Sequence, residues 1–334
     1  MDLLNDTLLR ARLFTGFTGP ADAVGSLVAR MTWRLADQGE LRPAEDPWPV
    51  LTEPLWTEVG EFPSDSVPEY AGCDVVITGV ARAEAPVASL LVTATVGAFS
   101  ARLEVLGDRV WQERDGELVP SDPRPFTEMP LVWERAYGGA ADHEGAEARH
   151  PLNQVGTGFH LKREQAVGRP LPNLERPDER IRRWDDRPLP ACWAPVKDPL
   201  GWHLAPIVRE AASAPDEEAR ATILAGAHER VALSAAQPGM IAPEVREGDE
   251  VAITGVAPDV LRFRIPALDP RVHVDTGAVT FEATLPVSGL WVLLSQRLVI
   301  VTYRVAFRYP YVRRRHRAAA LVLGAGRAAG SLGR

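Results

Sequence analysis

The sequence predicts a mainly β chain, all-β or α+β. It has β-sandwich-like, sheet-rich segments at both ends, an irregular Trp- and Pro-rich middle, and one helix near 208–237. Three observations carry this. Apolar and polar residues alternate with period two at both ends, and one 3.6-residue pattern lies between them. The 334 residues also include 29 prolines, which interrupt helices and argue against a helical bundle. Two domains are the default at this length. Strand-rich parts flanking a β-poor middle instead suggest one composite domain, built from 1–119, 120–206, a helical insertion at 207–239, 240–310 and a flexible basic tail at 311–334.

From the N-terminus, 8–35 reads as two strands around a turn at Gly19-Pro20-Ala21-Asp22. In the second, Leu27, Ala29, Met31 and Trp33 alternate with Val28, Arg30, Thr32 and Arg34. Residues 39–70 are proline-rich and acidic, which suits an extended loop hugging the surface. A third strand covers 74–81. Then 88–96 and 101–106 form a hairpin turning near Gly97, and Gly107-Asp108 turns the chain before Val110-Trp111. The middle, 120–206, lacks a regular period, yet five of the nine tryptophans stand between Trp111 and Trp202. A disordered linker does not carry that aromatic load, so the segment is read as ordered and packed on the sheet.

The helix is placed at 210–235. Pro215-Asp216-Glu217-Glu218 puts acids at the positive end of the dipole, and Ile223, Leu224, Ala227 and Val231 share a face. Gln237-Pro238-Gly239 ends it. Strand pattern returns at 250–257, 260–265, 279–285, 290–294 and 298–307. The words 74–81 and 250–257 echo each other, each ending in a glycine turn.

The chain is 46% hydrophobic, enough for a sizeable core, and its net charge is −8. Bulk attraction to phosphate is therefore disfavoured, and no nucleic-acid partner is expected. Cys73 and Cys192 belong to no CxxC pair, which excludes a disulfide framework and a structural zinc site and suits a reducing, cytoplasmic setting. Met1-Asp2-Leu3-Leu4-Asn5-Asp6 has an acid where a signal peptide needs bases. The most apolar stretch, 290–307, is broken by Ser295, Gln296, Arg297 and Arg304, so no membrane partner is expected.

Candidate chemistry is sparse. No nucleophile elbow, phosphate loop or dinucleotide fingerprint occurs. His228-Glu229 begins an HExxH-like word, but position 232 is Ala. His143, His150 and His160 with Asp142 and Glu144 match no metal spacing. Asp185-Asp186, flanked by Arg182, Arg183 and Arg187, reads as an ion-pair network rather than a general acid and base. No catalytic residue, cofactor or metal is expected.

Five words in order are more specific. They are Gly107-Asp108-Arg109-Val110-Trp111; Pro125-Phe126-Thr127-Glu128-Met129-Pro130-Leu131-Val132-Trp133-Glu134-Arg135-Ala136-Tyr137-Gly138-Gly139; Asn153-Gln154-Val155-Gly156-Thr157-Gly158-Phe159; Leu171-Pro172-Asn173-Leu174-Glu175; and Asp185-Asp186-Arg187-Pro188-Leu189-Pro190. Together they resemble the DUF2169 family over roughly residues 1–310. Gln154 stands where that family has proline, Tyr137 where it has phenylalanine, and Cys192-Trp193-Ala194-Pro195 where it has Gly-Phe-Gly-Pro.

The resemblance implies a non-enzymatic adaptor or chaperone that binds a secreted toxic effector of a type VI secretion system. It would assist the effector's loading onto the spike, with a spike-tip protein as a second partner. Physically, the words suit a scaffold. Trp133, Tyr137 and Phe159 are anchors, the glycines turn the chain, and Arg135 and Arg187 are expected to tie backbone carbonyls or carboxylates such as Glu134, Asp185 or Asp186. Cargo contact is expected at a groove or an edge strand, with the acidic 40–61 stretch as a second contact. Two other classes compete: a hydrolase using Asp185, Asp186 and the central histidines, and a carbohydrate-binding β-sandwich using exposed tryptophans.

Overall fold

Leu298-Val299-Ile300-Val301-Thr302-Tyr303 alternates large β-formers with no breaker, and the strand it starts, Leu298–Pro310, is the spine of the largest sheet. The computed structural model describes residues 1–17, 22–37, 39–58, 60–66, 72–227, 234–311 and 316–324. It is 47% strand and 11% helix, so the mainly β class holds. The sheet runs Ile241–Ala242, Cys73–Thr78, Val287–Leu293, Leu298–Pro310, Asp22–Leu35, Arg10–Phe17, with Leu41–Pro43 added beside Asp22–Leu35. Leu298–Pro310 pairs antiparallel with Asp22–Leu35 along its whole length, Leu298 opposite Arg34 and Pro310 opposite Asp22. Cys73–Thr78 lies parallel to Val287–Leu293. Arg10–Phe17 is an edge strand; the turn expected at 19–22 lies, except for Asp22, outside the described residues.

A second sheet has the order Leu174–Glu175, Phe99–Leu106, Ser89–Val96, Glu250–Thr254, Leu261–Arg264. Both large sheets thus mix strands from the two ends of the sequence. The strands of the echoing words end up in different sheets, Cys73–Thr78 in the first and Glu250–Thr254 in the second, each followed by a positive-φ glycine, Gly79 and Gly255.

Four expectations need correction. First, the described part of 39–66 does more than hug the surface as an extended loop. The strand Asp22–Leu35 is buried on both faces, and the face carrying Arg30 and Thr32 is covered by this segment. Asp65 holds the segment down: Arg30 donates to it at 2.8 Å and the Leu51 amide at 2.6 Å, while the Arg304 guanidinium donates to the Asp65 carbonyl at 2.8 Å. Phe62 is fully buried between Trp48 and Trp291.

Second, among the described residues the helical stretch holds Pro199–Ala212, which starts earlier than expected, and a separate Glu217–Ala225. Asp198 caps the first by accepting from the Gly201 amide, and Asp216 caps the second through the Ala219 amide. The first helix tolerates Pro206 internally, while Trp202, His203, Ile207 and Ala211 bury one face. Pro215, which has no N–H, separates the pair. No residue of Glu217–Ala225 is buried, so the predicted stripe at Ile223 and Leu224 is not packed; Val231 lies outside the described residues.

Third, the tail is not wholly free. Ala318–Leu323 pairs with Pro270–Asp275 and with Asp2–Asn5, and Thr280–Thr284 completes this four-stranded sheet. Residues 312–315 and 325–334 lie outside the described residues.

Fourth, the middle is less irregular than its sequence. It is built on short strands, among them Phe126–Pro130 against Val80–Val87 and Ala140–His143 against Ala146–Arg149. A small second core of Trp111, Leu118, Tyr137, Ala166, Leu171 and Ile181 holds it, with Phe159 and Trp184 at its side. Among the described residues no helix is long and apolar enough to cross a membrane.

Candidate functional site: a tryptophan-lined groove on a knotted frame

The five words do not meet as a catalytic cluster; they build a frame. Arg109, only 5% exposed, donates to Glu175 at 2.5 Å and to the Pro172 carbonyl at 2.7 Å, which joins the first word to the fourth. Asn173 donates to the Leu106 carbonyl at 2.9 Å and to Asp108 at 3.1 Å. Arg135 donates to Asn173 at 2.9 Å and to Asp108 at 3.2 Å, bringing in the second word. Gly107 fits beside the Arg124 carbonyl, and Trp111 sits in the small core.

Asn153 fastens the third word to the second. Its side-chain amide donates to the carbonyls of Trp133, at 2.8 Å, and Tyr137, at 3.0 Å. Tyr137–Gly138 then runs parallel to Thr157–Gly158, with Gly139 and Gly156 beside the pair. Gly138 is required here: its φ is +149°, and a Cβ would lie 2.2 Å from the Asn153 carbonyl. His150 packs edge-on between Tyr137 and Phe159.

Arg187 fixes the fifth word, donating to the carbonyls of His160 at 2.7 Å, Asp186 at 2.9 Å and Trp184 at 3.1 Å. Asp186 accepts two backbone amides, from Arg182 and Arg183, and Asp185 pairs with Arg183 at the surface. Pro188 is buried, and Pro130 lies opposite Val80 on its strand.

The electrostatics follow from this packing. Burial and then the Arg187 charge push His150 down to about 4; burial, then Arg169 and Arg187, take His160 to about 4. Both rings are neutral at pH 7. Hydrogen bonding to Arg183 holds the Asp185 carboxyl below its usual range. Among the described residues no group of three His, Cys, Asp or Glu side chains is placed to hold a metal. His228 and the His143 side chain lie outside the described residues.

On this frame opens a groove of about 490 Å³. One wall is the hairpin of Leu55–Thr57 with Gly60–Phe62, where Leu55 faces Phe62 and Trp56 faces Glu61. Period two turns Phe62 into the core and leaves Trp56 and Glu61 on the outer face, with Trp56 66% exposed. The floor is Trp133, whose indole N–H donates to the Pro195 carbonyl at 2.7 Å and whose ring meets buried Trp202 at 4.8 Å. Leu152, Gln154 and Val155 form the far wall, and Val155 is 59% exposed. Lys197 lies 5.0 Å over the Trp56 ring, and Glu58 and Glu134 stand at the rim. Among the described residues, no serine, cysteine or histidine lines the groove.

A family model described as an uncharacterised protein conserved in bacteria, DUF2169, matches residues 21–304. The chain belongs to the DUF2169 family. The match is narrower than the 1–310 read from the sequence, at the N-terminal end above all. No curated protein and no solved structure matches the chain.

Of the DUF2169 words, Val132, Trp133, Glu134, Asn153, Gln154 and Val155 reach the groove, and the other residues singled out in them lie in the frame beneath and beside it. Arg135 was expected to tie backbone carbonyls or carboxylates such as Glu134, Asp185 or Asp186, and it does hold a carboxylate, Asp108, together with Asn173, while Glu134 stays exposed. The sequence offered the acidic 40–61 stretch, which holds Trp56 and Glu61, as a second contact, but singled out neither these two nor Lys197 as groove residues. The available signal was a tryptophan alternating with acids at 56–61, in a stretch whose prolines suggested only a loop.

Proposed function

We propose that this DUF2169 chain is a non-enzymatic adaptor that binds a type VI secretion effector and presents it to the secretion spike, with a spike-tip protein as the receiving partner. The observation that carries the reading is the groove. It is apolar at its floor, open at its rim, and preformed, since Trp133 and Asn153 are each fixed by hydrogen bonds to backbone. Such a site seats a protein segment without an ordering cost on its own side. Its lining offers exposed aromatic area rather than a nucleophile with an adjacent base.

Binding stabilises a cargo by mass action: adaptor at 100 times its Kd adds about 2.7 kcal/mol to the bound fold. The reading has the chain act in the bacterial cytoplasm, where buried Cys73 and Cys192 remain thiols. Co-expression with a toxin encoded beside the gene tests it. The toxin is expected to gain soluble yield and to co-purify, and Trp56→Ala to lose it. A toxin that is soluble, active and secreted without this protein refutes the adaptor.

One observation favours a second reading: a flat, exposed indole such as Trp56 is what sugar rings stack on. Wild type and Trp56→Ala on a glycan array separate the two, because an adaptor retains no glycan.

A further inference from the structure

The charges of the groove specify its occupant, on the footing of the adaptor reading above. Glu58, Glu61 and Glu134 form no ion pair among the described residues. Of the positive side chains, Arg149 pairs with Glu147 at 2.6 Å, while Lys197 rests over Trp56 with no carboxylate partner among the described residues, so the three free carboxylates outnumber it. Asp198 is spent on the helix cap. The sharpest feature is Glu61, whose Oε2 is enclosed by protein and accepts no hydrogen bond. Among the described residues no donor offsets that enclosed oxygen, so the carboxylate is left under-paired where it lines the groove, and a cation paired with Glu61 from the groove side would offset it.

We infer that the groove takes an extended cargo segment in which an apolar or aromatic side chain is flanked by an arginine or lysine. The apolar group stacks between Trp56, Trp133 and Val155, while the cation reaches Glu61 and the rim carboxylates of Glu58 and Glu134. Arginine fits best, because its planar fork can donate to a carboxylate and lie against an indole at once. The same carboxylates outnumber Arg149 and Lys197 and so disfavour acidic peptides and nucleic acid.

The test uses the full chain and labelled peptides read by fluorescence anisotropy. In one peptide leucine and phenylalanine alternate with arginine; its twin has glutamate for arginine. Wild type is expected to bind the arginine peptide at least roughly tenfold tighter than the twin, with affinity falling as salt is added. Glu61→Gln, which keeps the shape, is expected to weaken the arginine peptide roughly tenfold, and Glu134→Gln to weaken it less. Trp56→Ala removes the stacking surface and weakens it as well. Trp56 and Glu134 are exposed, so these variants fold, as unchanged circular dichroism verifies.

Equal binding of the two peptides, or undiminished binding by both glutamine variants, overturns the inference. The same variants with the neighbouring toxin separate this from the adaptor reading. A toxin retained by both glutamine variants but lost by Trp56→Ala leaves the adaptor and removes the cation. A toxin that wild type itself never retains removes the adaptor, whatever the peptides do.

Discussion

Replacing Glu175 by glutamine removes one charge from the frame and almost no volume. In the wild type, Oε1 accepts from Arg109 at 2.5 Å and Oε2 accepts from the Ile181 amide at 3.2 Å. A carboxylate serves both donors, whereas an amide has one acceptor and must turn its NH2 toward the other donor. The buried Arg109 guanidinium then keeps the Pro172 carbonyl but loses its counter-charge. Arg180, at 3.6 Å from Oε2 and 36% exposed, contributes little to the balance.

A charge-assisted hydrogen bond is worth about 1.5–3 kcal/mol, and breaking a buried ion pair from one side costs about 3–5 kcal/mol. The expected loss is therefore about 3–5 kcal/mol, a large share of the roughly 5–15 kcal/mol that holds a domain folded. Equilibrium urea unfolding followed by tryptophan fluorescence measures it, at unchanged m. The double variant Arg109→Met, Glu175→Leu replaces the pair with apolar volume and is expected to recover most of the loss. A loss under about 1 kcal/mol for Glu175→Gln, or a double variant as unstable as the sum of its singles, refutes the buried-pair account.

Other outcomes follow from the same geometry. Burial lifts the Asp74 carboxyl to about 7 from 3.8, so the folded chain holds a proton that the unfolded chain releases near pH 4. Stability from this group is full below pH 4 and declines up to about pH 7; Asp74→Asn is expected to flatten that part of the stability profile. His150 and His160, lowered to about 4, act oppositely: their contribution is present above pH 6.5 and lost as pH falls toward 4, and ring NMR signals titrating near 4 would show it. Gly138→Ala places a Cβ against the Asn153 backbone at positive φ and is expected to lower stability by about 1–3 kcal/mol in denaturant melts. Asp198→Ala removes the cap of Pro199–Ala212 and is expected to cost about 1 kcal/mol in the same measurement.

Strands whose pattern is local were legible in the sequence. The 298–307 alternation marks Leu298–Pro310, and Gly97 sits at the turn of the hairpin as expected. What escaped depends on partners far along the chain. Thr32 and Arg30 look like an outer polar face until the 39–66 segment is laid over them. Ala318–Leu323 is a weak strand by composition and exists through its pairing with Pro270–Asp275 and Asp2–Asn5. The groove combines both limits: Trp133 and Asn153 stood in recognisable words, but Trp56 reaches them only because Asp65 pins its segment across the sheet.

The pairing of Asp22–Leu35 with Leu298–Pro310 sets a timetable for biosynthesis. A ribosome adding roughly 5–20 residues per second needs tens of seconds to deliver the second strand after the first. Throughout that interval the nascent chain displays a 14-residue strand, nearly all of it destined for the interior, with one of its two edges unoccupied. No N-terminal fragment ending before Leu298 can close the largest sheet, so its closure waits until almost all of the chain has been translated.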